Sequence, residues 1–327
     1  MRILISAASR TGKRVDGRGA EGDGCIYVCQ FDHDNLILTL HRRLHLPPPQ
    51  FLTQRMGARG IASLPNGDVV CANHDSLILL DKSLAFKRQV STNQTADIHD
   101  VEYDDSTGCV NVCCSTSDSV QMFTPDLLSV NEWRACDHQL LSKHMETVPK
   151  TPIVFKNRDK HTKFDFRHSF AGDGLHINGC FRWQNEFYIA SSTLAKFFNT
   201  QRGEFLDLDL GIHNPQFTGG RIHSYSITGD VLTMLNTHHG LVEQYNLRTR
   251  DKVGELVCRR PSGKSTGLPR TKHMGFLRGL HKLSDHEYLA GQIGPTVFYC
   301  NFKTGVVTSL ADFEQHHAWA VYGITSA

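Results

Sequence analysis

The sequence has no run of about 18 apolar residues, no excess of either charge sign and no Cys-x-x-Cys pair. Without such an apolar run, we expect no transmembrane helix and no membrane partner. The formal net charge of +2 argues against a general nucleic-acid binder, which needs a strongly basic surface. The missing Cys-x-x-Cys pair argues against a zinc ribbon, and the chain has no His-Glu-x-x-His string typical of zinc proteases.

The ten cysteines do not require disulfides. Most of them lie inside strand-like runs, where a free thiol packs as a small apolar group: Cys25, Cys29, Cys71, Cys113, Cys114 and Cys300. Residues 1–6 are too short for a signal peptide and are soon followed by basic residues. We therefore expect reduced thiols and a cytoplasmic protein.

Strand-like runs recur along the chain in units of similar layout. Each unit has an apolar inner run, a turn, a second run that ends in small polar residues, and a third run. Five units are complete. The sixth needs both chain ends, because run 319–324 has no partner after it and run 2–7 opens a set that lacks its innermost strand. The pattern predicts an all-β fold, a single-domain six-bladed β-propeller over residues 1–327, closed by N- and C-terminal strands in one blade.

The inner strands are predicted to begin near Gly60, His99, His176, His223, His281 and His317. The 77 residues from His99 to His176 exceed the length of one blade, which is about 40–45 residues. We therefore expect an inserted segment at about 134–174, with a short helix over 133–145. Because the insertion precedes an inner strand, we interpret it as a lid over one face of the disc.

Histidines stand at five of these six predicted starts: His99, His176, His223, His281 and His317. In a propeller, the first residues of the inner strands meet at one mouth of the central channel. Neutral imidazoles are good ligands for divalent metals, so the five histidines predict a site for Fe, Mn, Zn or Ni. Alternatively, they line a polar channel and bond to one another, to the backbone and to water. His99, His176 and His223 are also candidate catalytic bases.

Three arginines stand beside the same starts: Arg59, Arg221 and Arg278. A guanidinium can donate two parallel hydrogen bonds to a carboxylate or a phosphate. Together with Asn178 and Asp100, these arginines form the predicted binding site for a small anionic substrate. Alternatively, the arginines are structural and pair with Asp100 or with backbone carbonyls.

Polar turns follow the second strands and are expected at the same face. They are residues 73–74, 115–119, 191–192 and 236–239. These turns could widen the polar site. Alternatively, their Asn, Ser and Asp residues are there for local turn hydrogen bonds.

Four short strings give the chain a resemblance to a known group. His99-Asp-Val, His176-x-Asn-Gly, His223-Ser and Arg278-Gly-Leu occur in the order seen in a largely uncharacterised bacterial family of propellers. The resemblance spans residues 99–280. The layout is also similar to that of propeller lyases and lactonases, which implies a metal or a catalytic histidine at the channel mouth.

The leading functional hypothesis is an enzyme that acts on a small anionic metabolite at the channel mouth. It would use a histidine-bound divalent metal or a histidine general base, in a lyase, isomerase or hydrolase reaction. Two alternatives stay open. One is a non-catalytic propeller that binds a protein, a peptide or a small ligand, and the other is an iron-dependent oxidative enzyme.

Overall fold

The structure is a computed structural model that describes most of the chain. The described residues are 1–9, 24–47, 51–52, 58–92, 95, 97–146, 154–157, 163–165, 174–208, 210, 222–237, 239–258, 277–293, 296–313 and 319–327. No helix among them is long and apolar enough to cross a membrane.

Six four-stranded antiparallel sheets form the blades of a propeller, as predicted. The strands are numbered in chain order. Blade 1 contains β1 (Arg2–Ser9), β2 (Gly24–Asp32), β3 (Ile37–Leu44) and, from the other end of the chain, β27 (Trp319–Ser326). Blade 2 contains β5 (Ile61–Ser63), β6 (Val69–Ala72), β7 (Leu77–Leu80) and β8 (Phe86–Val90). Blade 3 contains β9 (Ile98–Asp104), β10 (Cys109–Cys114), β11 (Ser119–Phe123) and β12 (Ser129–Arg134).

The remaining three blades follow the same plan, with the first strand innermost. Blade 4 contains β15 (Ile177–Trp183), β16 (Glu186–Ser191), β17 (Lys196–Asn199) and β18 (Glu204–Leu206). Blade 5 contains β19 (Ile222–Thr228), β20 (Val231–Asn236), β21 (Leu241–Asn246) and β22 (Lys252–Val257). Blade 6 contains β23 (Leu277–Lys282), β24 (Glu287–Gln292), β25 (Thr296–Asn301) and β26 (Val306–Asp312).

The two ends of the chain close the ring within blade 1, which confirms the prediction. The C-terminal strand β27 is innermost and pairs antiparallel with β1, with Ile5 opposite Ile324. The amide of Ala327 donates to the carbonyl of Arg2 at 3.2 Å, so the termini lie side by side. The inner strands β27, β5, β9, β15, β19 and β23 contact one another in turn and surround a central channel.

The hydrophobic core is divided into layers between the blades. Between blades 1 and 6, for example, Ile5 and Tyr27 pack with Leu289 and Tyr299. Comparable buried clusters lie between each of the other neighbouring pairs of blades. Because both faces of each sheet are covered, the strands read as near-continuous apolar runs instead of alternating ones. Each fully buried aliphatic or aromatic side chain stabilises the folded state by about 1.5–3 kcal/mol relative to an exposed one.

The inserted segment is helical at its start, as expected. After β12, a 3-10 turn at Ala135–Asp137 leads into the helix α1 (Gln139–Glu146). Further on, β13 (Val154–Asn157) and β14 (Lys163–Asp165) form a small sheet with β4 (Phe51–Leu52). The predicted helix began too early, because residues 133–134 still belong to β12. The role of this segment as a lid stays a prediction.

The predicted start of the inner strand in blade 6 was wrong. The other five inner strands begin within two residues of the predicted points, but β23 begins at Leu277, four residues before His281. His281 is therefore the second-last residue of its strand. The second residue of β23 is Arg278, which takes the place that histidine has in blades 3 and 5. The prediction used His281 as the strand start and was therefore four residues too late.

The cysteines occur as free thiols, as expected. All ten lie in the described part of the chain, and most of them are buried.

Candidate functional site

Five of the inner strands carry an irregularity in pairing close to their first residues. In β9, Ile98 and Asp100 pair with successive residues of β10, which leaves His99 as an extra residue. In β15 the extra residue is Asn178, between Ile177 and Gly179. In the other three strands the extra residues are Ser224 in β19, Arg278 with Gly279 in β23, and Tyr322 in β27.

These bulges determine which side chains reach the channel. A β-bulge leaves the extra residue outside the ladder and turns its side chain to a new direction. Gly291 faces the doubled pair Arg278–Gly279, and a Cβ on Gly291 would lie 2.6 Å from the carbonyl oxygen of Arg278. Only glycine leaves room for the backbone there. Repetition of the bulge around the ring brings polar residues to one end of the channel.

Asp97 lies at the centre of the polar residues at this end of the channel. Its Oδ1 lies 2.5 Å from Nη1 of Arg59 and 3.3 Å from Nε2 of His74. Its Oδ2 accepts a hydrogen bond from Oγ of Ser115 at 2.9 Å and lies 3.6 Å from Nε2 of His99. Asp97 thus connects residues of blades 2 and 3.

Three histidine rings cluster beside Asp97. The ring centroids of His99 and His176 are 4.6 Å apart with an edge-to-face geometry, and those of His99 and His223 are 5.7 Å apart with planes 27° from parallel. Nδ2 of Asn178 lies 3.3 Å from His223 and donates to the carbonyl of Ile222 at 2.6 Å. The predicted catalytic histidines His99, His176 and His223 are therefore close together, with Asn178 beside them.

Two arginines lie near the ring of Tyr322. The guanidinium carbon of Arg278 is 4.5 Å from the ring centroid, and that of Arg59 is 5.3 Å from it. Cations near an aromatic ring are stabilised by its quadrupole. Arg59 also donates to the carbonyl of Ile98 at 3.0 Å. Arg59 and Arg278 are both buried, at 2% and 7% exposure.

Burial and charge together set the protonation of this group. Burial alone would raise the pKa of Asp97, but Arg59 and His99 outweigh it and hold that pKa well below its usual range. Burial and then His176 lower the pKa of His99 well below 6.5, although Asp97 opposes the shift. Burial also lowers the pKa of His74. At neutral pH, Asp97 is therefore a carboxylate, and His99 and His74 are neutral.

The described residues do not suit a metal ion. In the part of the chain that the structure describes, no group of three or more His, Cys, Asp or Glu side chains is placed to hold one. Two neighbouring guanidiniums also repel a cation. His317 lies outside the described residues, so the metal site stays an untested prediction.

The other end of the channel holds an open cavity of about 460 Å³. Its charged lining residues are Asp100, Glu102 and Asp105, and Tyr225, Ser224 and Leu280 are among the others. Burial raises the pKa of Asp100 to about 7 and that of Glu102 to about 8. Asp100 thus lines this cavity, although we expected it among the arginines.

The structure brings together Arg59, Arg278, Asn178, His99, His176 and His223 from the predicted site residues. His281, near the end of β23, has a pKa lowered to about 4 by burial. Arg221 and His317 lie outside the described residues, so their predicted roles are not tested.

The sequence reasoning missed Asp97 and Tyr322. Its structural alternative paired the arginines with Asp100 or with backbone carbonyls, but the carboxylate partner of Arg59 is Asp97, two residues before His99. The only sequence signal was an acidic residue directly before an inner strand. Of the polar turns, His74 and Ser115 do reach the site, through Asp97.

Comparison with known proteins supports the fold. No protein-family model matches the chain, and neither does any curated protein sequence. Among solved structures, a protein of unknown function from Bacteroides caccae is 8% identical with a TM-score of 0.58, and the match covers 99% of this chain and 97% of that one. A nidogen/laminin complex is 10% identical with a TM-score of 0.58, covering 99% of this chain and 97% of that one.

A similarity to a propeller lyase is also present. Virginiamycin B lyase from Staphylococcus aureus is 12% identical with a TM-score of 0.47, and the match covers 80% of this chain and 71% of that one. Identities this low indicate a shared fold alone, and the propeller fold occurs both in enzymes and in non-catalytic proteins. Function has to be inferred from the site itself.

Proposed function

We propose that this propeller is an enzyme that binds a small organic anion at the channel end where the inner strands begin. The observation that carries the proposal is the approach of two buried guanidiniums, those of Arg59 and Arg278, to the same ring of Tyr322. The carboxylate of Asp97 contacts Arg59 beside them. A guanidinium in such a place favours a carboxylate or phosphate group, with strong charge-assisted hydrogen bonds.

His99 is the best candidate for the general base. It is neutral at neutral pH, and within the described residues neither of its ring nitrogens has a hydrogen-bond partner. Nε2 is the nitrogen nearer to Asp97, which leaves Nδ1 to accept a proton. His176 and His223 stand beside His99, and Asn178 orients His223.

The reaction begins with proton removal by His99. In an elimination or an isomerisation the proton comes from a carbon next to the bound carboxylate, and in a hydrolysis it comes from water. The guanidinium of Arg278 stabilises the negative charge that develops on the substrate. All three reaction types share this first step.

The test uses binding and proton exchange together. Small carboxylates and phosphates are screened for binding by calorimetry, and those that bind are incubated with the protein in D₂O. Proton NMR then follows the loss of carbon-bound hydrogen. We expect Arg278→Gln to lose binding, and His99→Gln to keep binding but lose exchange. Arg248→Gln, an exposed arginine on the outer part of blade 5, is the matched control.

Two outcomes would change the proposal. Binding and exchange that persist unchanged in both site variants would overturn it. Binding by the wild-type protein without any exchange, for every anion that binds, would instead favour a non-catalytic propeller that holds a small ligand.

A further inference from the structure

Two buried thiols face each other between blades 5 and 6. Sγ of Cys258 lies 3.5 Å from Sγ of Cys300, and the two residues are 1% and 0% exposed. Both belong to the apolar cluster between these blades, which also contains Leu235 and Phe298. Cys258 follows β22 of blade 5, and Cys300 lies in β25 of blade 6. The contact therefore joins two separate sheets, between residues 42 positions apart in the chain.

The backbones of the two cysteines are held to different degrees. Cys300 pairs with Tyr288 on one side and with Val307 on the other, which fixes its position in the sheet. Cys258 lies one residue beyond the end of the outermost strand of its blade, and its amide donates to the carbonyl of Gly240 at 2.9 Å. Because the S–S bond of a disulfide is about 2.05 Å long, the two sulfurs need to approach by about 1.5 Å. A small movement of Cys258 at the end of its strand is enough.

The contact between the thiols gives each of them a separate part in a reaction. The hydrogen bond with Cys258 and burial together raise the pKa of the Cys300 thiol well above its usual range. Cys300 therefore keeps its proton and donates it to the sulfur of Cys258, so that Cys258 is the one to react as a thiolate. Val257, directly before Cys258, is 38% exposed, which places this end of β22 at the surface. Local opening of the outermost strand gives a small oxidant access there.

We propose that Cys258 and Cys300 form a reversible oxidation site, at which hydrogen peroxide converts the two thiols into a disulfide that joins blades 5 and 6. The site is made of residues outside the candidate anion site, so the inference does not depend on the proposed function. The thiolate of Cys258 attacks one oxygen of the peroxide. The O–O bond breaks, hydroxide leaves, and Cys258 becomes a sulfenic acid.

The second step forms the disulfide. The sulfur of Cys300 gives up its proton and attacks the sulfur of Cys258, so that the S–S bond forms, the S–O bond breaks and the oxygen leaves as water. In total, two thiols are oxidised to one disulfide, and one molecule of peroxide is reduced to two molecules of water. A dithiol reductant reverses the change by thiol–disulfide exchange.

The experiment treats the folded protein with hydrogen peroxide, blocks the remaining thiols under denaturing conditions and maps the digested peptides by mass spectrometry. We expect a peptide pair joined through Cys258 and Cys300 in the wild-type protein, and its loss after treatment with dithiothreitol. Cys258→Ala should lack the joined pair and leave Cys300 reduced. Cys71→Ala removes a buried thiol of blade 2, so this control variant should keep the joined pair.

A second measurement uses the wild-type protein alone and stays valid if a variant does not fold. Oxidation should raise the Tm by about 5 °C, because a disulfide that closes a loop of this length restricts the unfolded chain, and dithiothreitol should remove the gain. Oxidation of the less buried thiols Cys109 and Cys136, with Cys258 and Cys300 still reduced, would overturn the inference. A joined pair that forms only when the peroxide is added in urea would overturn it as well.

Discussion

Asp97 and Arg59 form a buried ion pair that joins two blades at the channel, with Oδ1 and Nη1 2.5 Å apart and exposures of 4% and 2%. Asp97 directly precedes blade 3, and Arg59 precedes blade 2. The same carboxylate also contacts His99, the candidate base. The pair therefore contributes to the packing of the blades as well as to the proposed site.

The first prediction concerns the stability of this pair. Asp97→Ala should lower the free energy of unfolding by about 3–5 kcal/mol, because it leaves the Arg59 charge buried without its partner. Arg59→Met combined with Asp97→Ala should recover much of the loss, since both charges of the ion pair are then removed together. The free energies of unfolding of both variants are measured by urea titration, with circular dichroism as the signal. A double variant as unstable as Asp97→Ala would contradict the explanation.

The second prediction concerns the close approach of two inner strands. A Cβ added to Gly179 would lie 2.1 Å from Cε2 of Tyr225, so Gly179→Ala should lower stability by about 1–3 kcal/mol through overpacking. It should also displace Tyr225, whose hydroxyl donates to Oδ1 of Asn178 at 3.1 Å. In a Tyr225→Leu background, the same substitution should cost clearly less. An equal cost in both backgrounds, measured by urea unfolding, would rule out the clash with the tyrosine ring.

The third prediction concerns pH. The pKa of Asp100 in the folded protein, about 7, lies above its usual value of 3.8 because of burial. The folded state therefore holds a proton that the unfolded state releases, so this contribution to stability is present below about pH 4 and is lost as the pH rises to about 7. Asp100→Asn should raise stability by up to about 4 kcal/mol at about pH 8, since each unit of pKa shift corresponds to about 1.4 kcal/mol, with little change at about pH 4.

Urea unfolding at both pH values checks this effect, with Asp105→Asn as the control. Asp105 lines the same cavity but is exposed. A gain in stability for Asp100→Asn that is equal at both pH values would show that protonation is not the cause.

The fourth prediction follows from the closure of the ring. The amide of Ala327 donates to the carbonyl of Arg2, so a short glycine-rich linker can join residues 1 and 327 as a hairpin. New termini placed between Lys303 and Thr304, in the exposed turn before β26, should give a permutant that folds. We expect the β-sheet circular dichroism of the parent and a cooperative thermal transition. A permutant with new termini inside the buried strand β10 is the control, and it should not fold. Loss of the fold in the Lys303–Thr304 permutant would count against this closure.

Part of the site was visible in the sequence. Histidines and arginines recurred at corresponding points of the repeat, and His99, His176, His223, Arg59 and Arg278 do meet around one end of the channel. The start of the inner strand in blade 6 was predicted wrongly from His281. The bulge of this blade is at Arg278, and a pattern of residue types does not reveal its position. Asp100 was assigned to the wrong end of the channel for a similar reason, since one residue of register in a strand reverses the side-chain direction.

The sequence by itself determined the fold, the number of blades and the closure by both termini, because strand runs, turns and their repetition are local properties of the chain. Only the tertiary structure decided the contacts of the site. The pairing of Asp97 with Arg59, the position of Tyr322 near two guanidiniums and the bulges in five of the inner strands depend on backbone register and on neighbouring blades. These contacts join residues that are far apart in the chain, so the local sequence pattern cannot predict them.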